Sequence, residues 1–378
     1  MGAGRRVLVP HLAQAPARPP RGARLLQASG LTMGTSWTVK WVVPAAAGNG
    51  EVRDEAHGSA GGGAQHDLPA GIQAGLDTVV RQMSSWEPES DLSRFNRAPA
   101  GTSFTLPAEF ARVLDHALAV ARDSDGAFDA TAGALVDAWG FGAGDGYRQR
   151  GFALPTDAAL AAARAASGWR LLEFDAAART VVQPGGVRLD LSAIAKGFAV
   201  DQVARYLQSR GIDDYLVEVG GELRGAGVKP DGQPWWVMLE APPAEKPDAA
   251  GSLVETVVAL HGLSVATSGD YRRYVDRDGA RHCHAIDPRT GRPVAAGVAS
   301  VTVLHRDCMA ADALSTALMV MELEQGIEWA QRRGIAALFR LRPVQQGGAG
   351  GSHGAWNGRG AREALHERMT APFAALLQ

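Results

Sequence analysis

The chain has 378 residues, 46% of them hydrophobic and 21% charged, with a formal net charge of -2. That length suits one large or two ordinary domains, and the balance is that of a globular protein with no global pull toward nucleic acid or an anionic membrane surface. Cys283 and Cys308 are the only cysteines, which excludes a disulfide framework and a Cys-rich zinc site.

At the start of the chain, VLVPHLAQA is broken by Pro10 and His11. It falls well short of the roughly 20 apolar residues of a membrane span and makes a poor signal peptide. No cysteine stands near to carry a lipid. Residues 1–28 are therefore expected to be a flexible segment without leader or anchor. Localisation stays open, with a soluble cytoplasmic chain as one reading. Residues 29–378 are expected to form a single unit, with flexible Gly-rich insertions near 45–70 and 345–360 and a third irregular piece at 242–251.

In chain order, TSWTVKWVV (35–43) alternates as a strand does, and 72–83 and 108–124 carry helical periodicity. An Ala-rich helix is expected at 157–166, then short strands around LLEFD and TVVQPGGVRLDLS. A helix is expected from Leu191 or Ser192 through Gln208, stopped by Gly211. YLVEVGGELRGAG, PWWVMLEAP, LVETVVALHGLSVATSG and GVASVTVLH read as successive strands. A helix at 311–322 and a late strand in IAALFRLR follow. Strand runs flanked by a few helices indicate an α+β protein with mainly antiparallel sheets.

Within these elements, LDLSAIAKGFAVD places Asp190 and Lys196 at the mouth of an otherwise apolar helix. The unpaired amides of a helix start favour phosphate, and Lys196 adds a full positive charge. On this stretch alone Asp190 reads first as a helix cap and Lys196 as a surface lysine, and second as ligand groups. In MAADALSTALMVM, Asp312 and Thr316 are four apart and share one helix face. Carboxylate and hydroxyl are hard oxygen donors suited to Mg²⁺, although a first-turn carboxylate and a back-bonded Thr would look the same. HCHAIDPRTGRPV offers His284, able to move a proton near neutral pH, before a Pro/Gly turn; His282 and His284 alone could share a face, too few for a metal site. Gly220 and Gly221 suggest a bulge or a close backbone approach, as does the strand end Thr267-Ser268-Gly269. Trp139 and Phe141 in FDATAGALVDAWGFG are a candidate wall for a flat ring, with the core as their default place. GGSHG (350–354) lacks the strand–turn–helix context of a nucleophile elbow, and GFGAGDG (140–146) lacks dinucleotide-loop spacing.

Taken in order, MGTSW, MSSWEPESDLSRFN, FDATAGALVDAWGFG, LDLSAIAKGFAVD, YLVEVGGELRGAG, SVATSGDYRRY, HAIDPRTGRPV and ADALSTAL resemble the FAD:protein FMN transferase family, the ApbE-like proteins, over most of residues 31–321. The resemblance implies a T-fold-like architecture and an enzyme that uses FAD as substrate. Such an enzyme cleaves FAD and, with Mg²⁺, esterifies FMN to a Ser or Thr of a target protein, releasing AMP. It further implies metal ligation by the Ala193 carbonyl, Asp312 and Thr316. FAD contacts are implied at Met33, Trp86, Asp129, Ala130, Thr131, Asp190, Lys196, Ala285 and Ile286. His284 is then the group that assists the hydroxyl. The target implied is a flavin-carrying subunit of a redox pump or another electron-transfer protein, and many relatives are cell-envelope lipoproteins. Two positions depart from the family pattern: Trp86 stands where Tyr is frequent, and Cys283 where a His often precedes His284. The alternatives are an FAD pyrophosphatase, with water in place of the protein hydroxyl, and an FAD-binding protein without turnover.

Overall fold

The computed structural model describes residues 5–10, 17–45, 67–143, 146–242, 255–277, 280–295, 297–342 and 365–377. The insertions expected near 45–70 and 345–360 and the piece at 242–251 lie largely outside the described residues, and GGSHG lies wholly outside them.

Among the described residues eight strands form the central sheet: β1 (Arg24–Thr32), β2 (Thr35–Val43), β3 (Tyr215–Val219), β4 (Glu222–Ala226), β5 (Leu263–Gly269), β6 (Val298–His305), β7 (Ala336–Leu341) and β8 (His366–Met369). Every neighbouring pair is antiparallel, and the order across the sheet is the order along the chain. The sheet is thus a meander whose connections carry most of the remaining elements, and the expected α+β, mainly antiparallel class holds.

Strand periodicity sorts the two faces. Trp37, Val39, Trp41 and Val43 of β2, with Tyr215, Val217 and Val219 of β3, pack against four helices. These are α1 (Leu68–Met83), α2 (Ala108–Asp123), α3 (Ala195–Ser209) and α4 (Cys308–Val320). The opposite face takes Val42, Val265, Leu304 and Leu338 into a second core with Leu8, Trp235 and Val258. That core lies under a three-stranded sheet of Arg5–Leu8, Glu255–Leu260 and Trp235–Met238. Helices, central sheet and small sheet are the three layers.

Ordered structure begins earlier than the sequence suggests. Residues 24–28, read as part of a flexible segment, form half of β1, because all nine residues of β1 pair in register with β2 from Arg24↔Val43 to Thr32↔Thr35. Arg5–Leu8 pairs in parallel with residues 255–258. Backbone pairing of this kind leaves no strong side-chain pattern. α1 starts at Leu68, inside the expected loop, with Pro69 in its first turn, where the missing N–H costs nothing.

The opening helix also differs from expectation. Residues 192–194 are a turn and α3 begins only at Ala195, since Asp190 Oδ1 takes the Ser192 N–H at 2.7 Å and Ile194, at φ −149°, is non-helical. The expected 311–322 helix is α4, ending at Val320, and a further helix, α5 (Leu323–Arg332), follows Met321 in extended conformation.

Candidate active site

α3 and α4 cross at Gly197. A Cβ there would lie 2.3 Å from the Cys308 carbonyl oxygen and 2.8 Å from Asp312 Cβ, so only glycine permits this approach. Two carboxylates fasten the crossing. Asp201 of α3 accepts the Met309 N–H of α4 on Oδ2, and Asp312 of α4 accepts the Gly197 N–H of α3 on Oδ2, both at 2.9 Å. Gly197 is the third residue of α3, where a backbone N–H has no intrahelical acceptor. Here it goes to Asp312. Among the described residues no backbone N–H bonds the Ala193 oxygen, while those of Leu191 and Ile194 are taken.

Asp312 is 3% exposed. Burial raises its carboxyl above the usual range, partly offset by Lys196 and the Gly197 N–H. One turn on, Thr316 and Ser315 face Ser268 at the end of β5: the Ser268 hydroxyl lies 3.0 Å from Thr316 Oγ1 and 2.8 Å from Ser315 Oγ. The small hydroxylic strand end noticed in the sequence is thus a neighbour of the helix face that carries Asp312.

Lys196, beside Gly197, pairs with Glu222 Oε1. Burial alone would lower the lysine, but Glu222 and Asp312 outweigh it and hold the ammonium charged. Burial pushes Glu222 up to about 7 against the pull of Lys196. Glu222 was not singled out in the sequence. The signal was there in VGGE: Gly220 and Gly221 are not a bulge inside a strand but the two-residue turn joining β3 to β4, with φ of 59° and 99°. Two glycines between alternating runs mark such a hairpin, and the residue after them is held rigidly.

Met33 occupies the equivalent place between β1 and β2. It and Gly34 form the turn, at φ 50° and 71°, and Met33 is one of three non-glycine residues described at positive φ. A bulky side chain in that conformation is strained and marks a position under functional or packing demand. Trp86 is 55% exposed, past the end of α1.

The loop bearing Asp129, Ala130 and Thr131 is tied up internally. Asp129 Oδ1 accepts from Thr131 N (2.8 Å) and Oγ1 (2.7 Å), and Oδ2 from Trp169 N at 2.8 Å. Thr131 Oγ1 accepts from Gly168 N at 2.7 Å. Burial raises the Asp129 carboxyl against those bonds. Ala130 is buried, and its carbonyl takes the Asp190 N–H at 2.8 Å, linking this loop to the mouth of α3. The Asp190 side chain bonds the Ser192 N–H in the turn before α3, whose own N-cap, Ile194, makes no side-chain cap bond.

His284 sits before the hairpin of Ile286–Asp287 with Arg292–Pro293. Its Nδ1 lies 3.1 Å from the Arg273 carbonyl oxygen, which can only accept. Nδ1 is therefore the protonated nitrogen, and Nε2 carries the lone pair. Burial pushes this imidazole down to about 4, helped by Arg273, Lys196 and Arg272 nearby. His282 stacks on Trp139 at 5.3 Å, and the His284 ring meets Phe141 edge-on at 6.3 Å. Trp139 and Phe141 are buried in the core, and Trp139 Nε1 donates to the Gly291 oxygen at 2.9 Å. Cys283 is buried with its thiol pushed up to about 12, an inert group. Ile286 is buried too, and the Ala285 carbonyl accepts the Val294 N–H at 2.9 Å.

Among the described residues, no group of three or more His, Cys, Asp or Glu side chains is placed to hold a metal. A groove of about 420 Å³ lined by Arg112, Arg205 and Tyr206 lies between α1, α2 and the far side of α3 and contains none of the candidate-site residues.

Residues 33–339 match the model of the ApbE family. The chain belongs to the ApbE family. It is 38% identical over 318 residues to an FAD:protein FMN transferase of Vibrio cholerae serotype O1, covering 84% of this chain and 87% of that protein. It is 36% identical over 325 residues to an FAD:protein FMN transferase of Haemophilus influenzae, with the same two coverages, 84% and 87%. Among solved structures, the apo flavinyl transferase ApbE of Pseudomonas stutzeri superimposes with a TM-score of 0.74 at 34% identity, over 94% of this chain and 97% of that one. The flavin transferase ApbE of Vibrio cholerae does so with a TM-score of 0.74 at 34% identity, over 93% and 99%. The ApbE fold is thus that of this chain, and the protein is an enzyme of the flavin-transferase kind. Among the described residues no helix is long and apolar enough to cross a membrane.

Proposed function

We propose that this ApbE-family enzyme, using Mg²⁺, cleaves FAD at its pyrophosphate and joins FMN through a phosphoester to a Ser or Thr hydroxyl of a target protein, releasing AMP. The observation that carries the reading lies at the helix crossing: the buried Asp312 accepts the Gly197 N–H on one oxygen, and among the described residues no backbone N–H takes the carbonyl of Ala193, four residues before Gly197. Thr316, four residues after Asp312, adds a hydroxyl. These are hard oxygen donors that fit Mg²⁺, and Ala193, Asp312 and Thr316 are the residues that would hold it. When bound, the ion supplies positive charge beside the pyrophosphate.

The remaining work falls to side chains. The amides of Ser192, Ile194, Ala195 and Gly197 are already bonded within the protein. Lys196, kept charged, therefore faces the phosphates in place of the unpaired helix start expected from the sequence; Met33, Trp86, the 129–131 loop, Asp190, Ala285 and Ile286 are assigned to the rest of FAD. Because Asp129 and Thr131 bond each other and Ala130 is buried, this loop serves the ligand through its backbone and shape. His284 Nε2, neutral and free to accept, takes the proton of the target hydroxyl as its oxygen attacks the FMN phosphorus. The bond from that phosphorus to the bridging oxygen breaks, and AMP leaves with it. An electron-transfer or redox-pump subunit is the target class we favour.

The test is incubation with FAD, Mg²⁺ and a candidate acceptor, reading the acceptor by intact mass and in-gel fluorescence. The reading requires an FMN adduct on Ser or Thr with one AMP per adduct. Free FMN and AMP over an unmodified acceptor would instead mean a pyrophosphatase. Bound, intact FAD would mean a carrier.

A further inference from the structure

Among the described residues outside the candidate site, the buried Asp201 and Asp270 and the partly buried Glu367 use both carboxylate oxygens. Asp201 bonds Arg224 and the Met309 N–H; Asp270 bonds two nitrogens of Arg342; Glu367 bonds Arg340 Nε at 3.1 Å and Arg6 Nη1 at 2.7 Å. Such full pairing is what a structural ion pair needs to offset its desolvation. Glu222, 3% exposed, is different: Oε1 meets Lys196, while Oε2 is buried with no hydrogen-bond partner.

The turn before it is built to put Glu222 there. A Cβ at Gly220 would stand 2.8 Å from Thr35 Cγ2 and 3.4 Å from Lys196 Cδ, and one at Gly221 would stand 2.9 Å from Arg272 Nη2. Arg272 Nη1 donates to the Gly220 oxygen at 3.2 Å, and Gly221 N–H to Glu218 Oε1 at 2.7 Å. The β3–β4 turn is thereby clamped between the Lys196 stem and Arg272, and the first side chain beyond it lands on the Lys196 ammonium. A stability role alone does not account for a clamped turn delivering a half-satisfied carboxylate to a cation at the candidate active site.

We propose that Glu222 is a positioning residue of the transfer site, fixing the Lys196 ammonium where it meets the FAD pyrophosphate. This rests on the reading of Lys196 as an FAD contact. The test is a double-mutant cycle on FAD affinity, measured by flavin-fluorescence quenching in EDTA with no acceptor, so that binding is read without turnover. Glu222→Gln is expected to weaken FAD by about tenfold, and by less than about twofold when added to Lys196→Met, because a residue acting through Lys196 has nothing left to position. Thermal midpoints of all four proteins exclude a folding effect. Should Glu222→Gln fold poorly, Glu222→Asp keeps the charge one methylene short and is expected to weaken FAD by about threefold in the Lys196 background only. Unchanged affinity in Glu222→Gln, or equal losses in both backgrounds, overturns the role of Glu222 alone. Wild-type affinity in Lys196→Met overturns the assignment of Lys196 and this proposal with it.

Discussion

Asp201 and Asp312 stand at the same helix crossing, are equally buried, and each accepts one N–H from the opposite helix at 2.9 Å. They differ in the second oxygen. That of Asp201 is closed by Arg224, whereas Asp312 has no second side-chain bond among the described residues. Identical local chemistry thus yields a fastener at one end of the crossing and a candidate ligand at the other. What separates them is whether the surrounding donors complete the shell.

That contrast is broken most directly by changing each carboxylate. Asp312→Asn is expected to lower FMN transfer by about a thousandfold while shifting stability by no more than about 1 kcal/mol, since the amide oxygen still accepts from Gly197. Transfer rates and urea midpoints read the two effects. Asp201→Asn is expected to do the reverse: it takes the close carboxylate from the partly buried Arg224, leaving Asp307 at 3.9 Å, and costs about 3 kcal/mol of stability, with transfer by the folded fraction near wild type. If both variants lost stability alike and kept equal transfer, the distinction would fail. Gly197→Ala should cost about 1–3 kcal/mol by prising the helices apart at Cys308, and should lower transfer as well because the crossing carries both ends. The smallest effect concerns His284. Its folded value, about 4, lies below the ordinary 6.5, so the native state holds fewer protons than the unfolded chain between those values. Its contribution to stability is full above about pH 6.5 and is lost as pH falls toward 4. Thermal midpoints across that window should flatten in His284→Asn.

Much of this was legible in the residues. The alternation of TSWTVKWVV, the Pro/Gly turn of DPRTG and the spacing of Asp312 and Thr316 each report a local rule that the fold keeps. Several misses share one cause. β1 and the strand Arg5–Leu8 are defined by backbone pairing with distant partners, Val43–Thr35 and residues 255–258, which leaves little trace in side-chain pattern. Gly197 and Glu222 were passed over for the same reason: the first is read only against α4, the second only against Lys196. Conversely, Asp129 and Thr131 carry the residue types of a ligand site, yet their side chains bond one another.

Mg²⁺ binding to the FAD-loaded enzyme, followed by titration calorimetry in wild type and Asp312→Asn, bears most directly on the open end of the crossing. A saturable Mg²⁺ event in the wild type that vanishes in Asp312→Asn is the result expected. Equal Mg²⁺ affinity in the two proteins would show that the ion, if used, is held elsewhere, and that the two ends of the crossing do not differ as described.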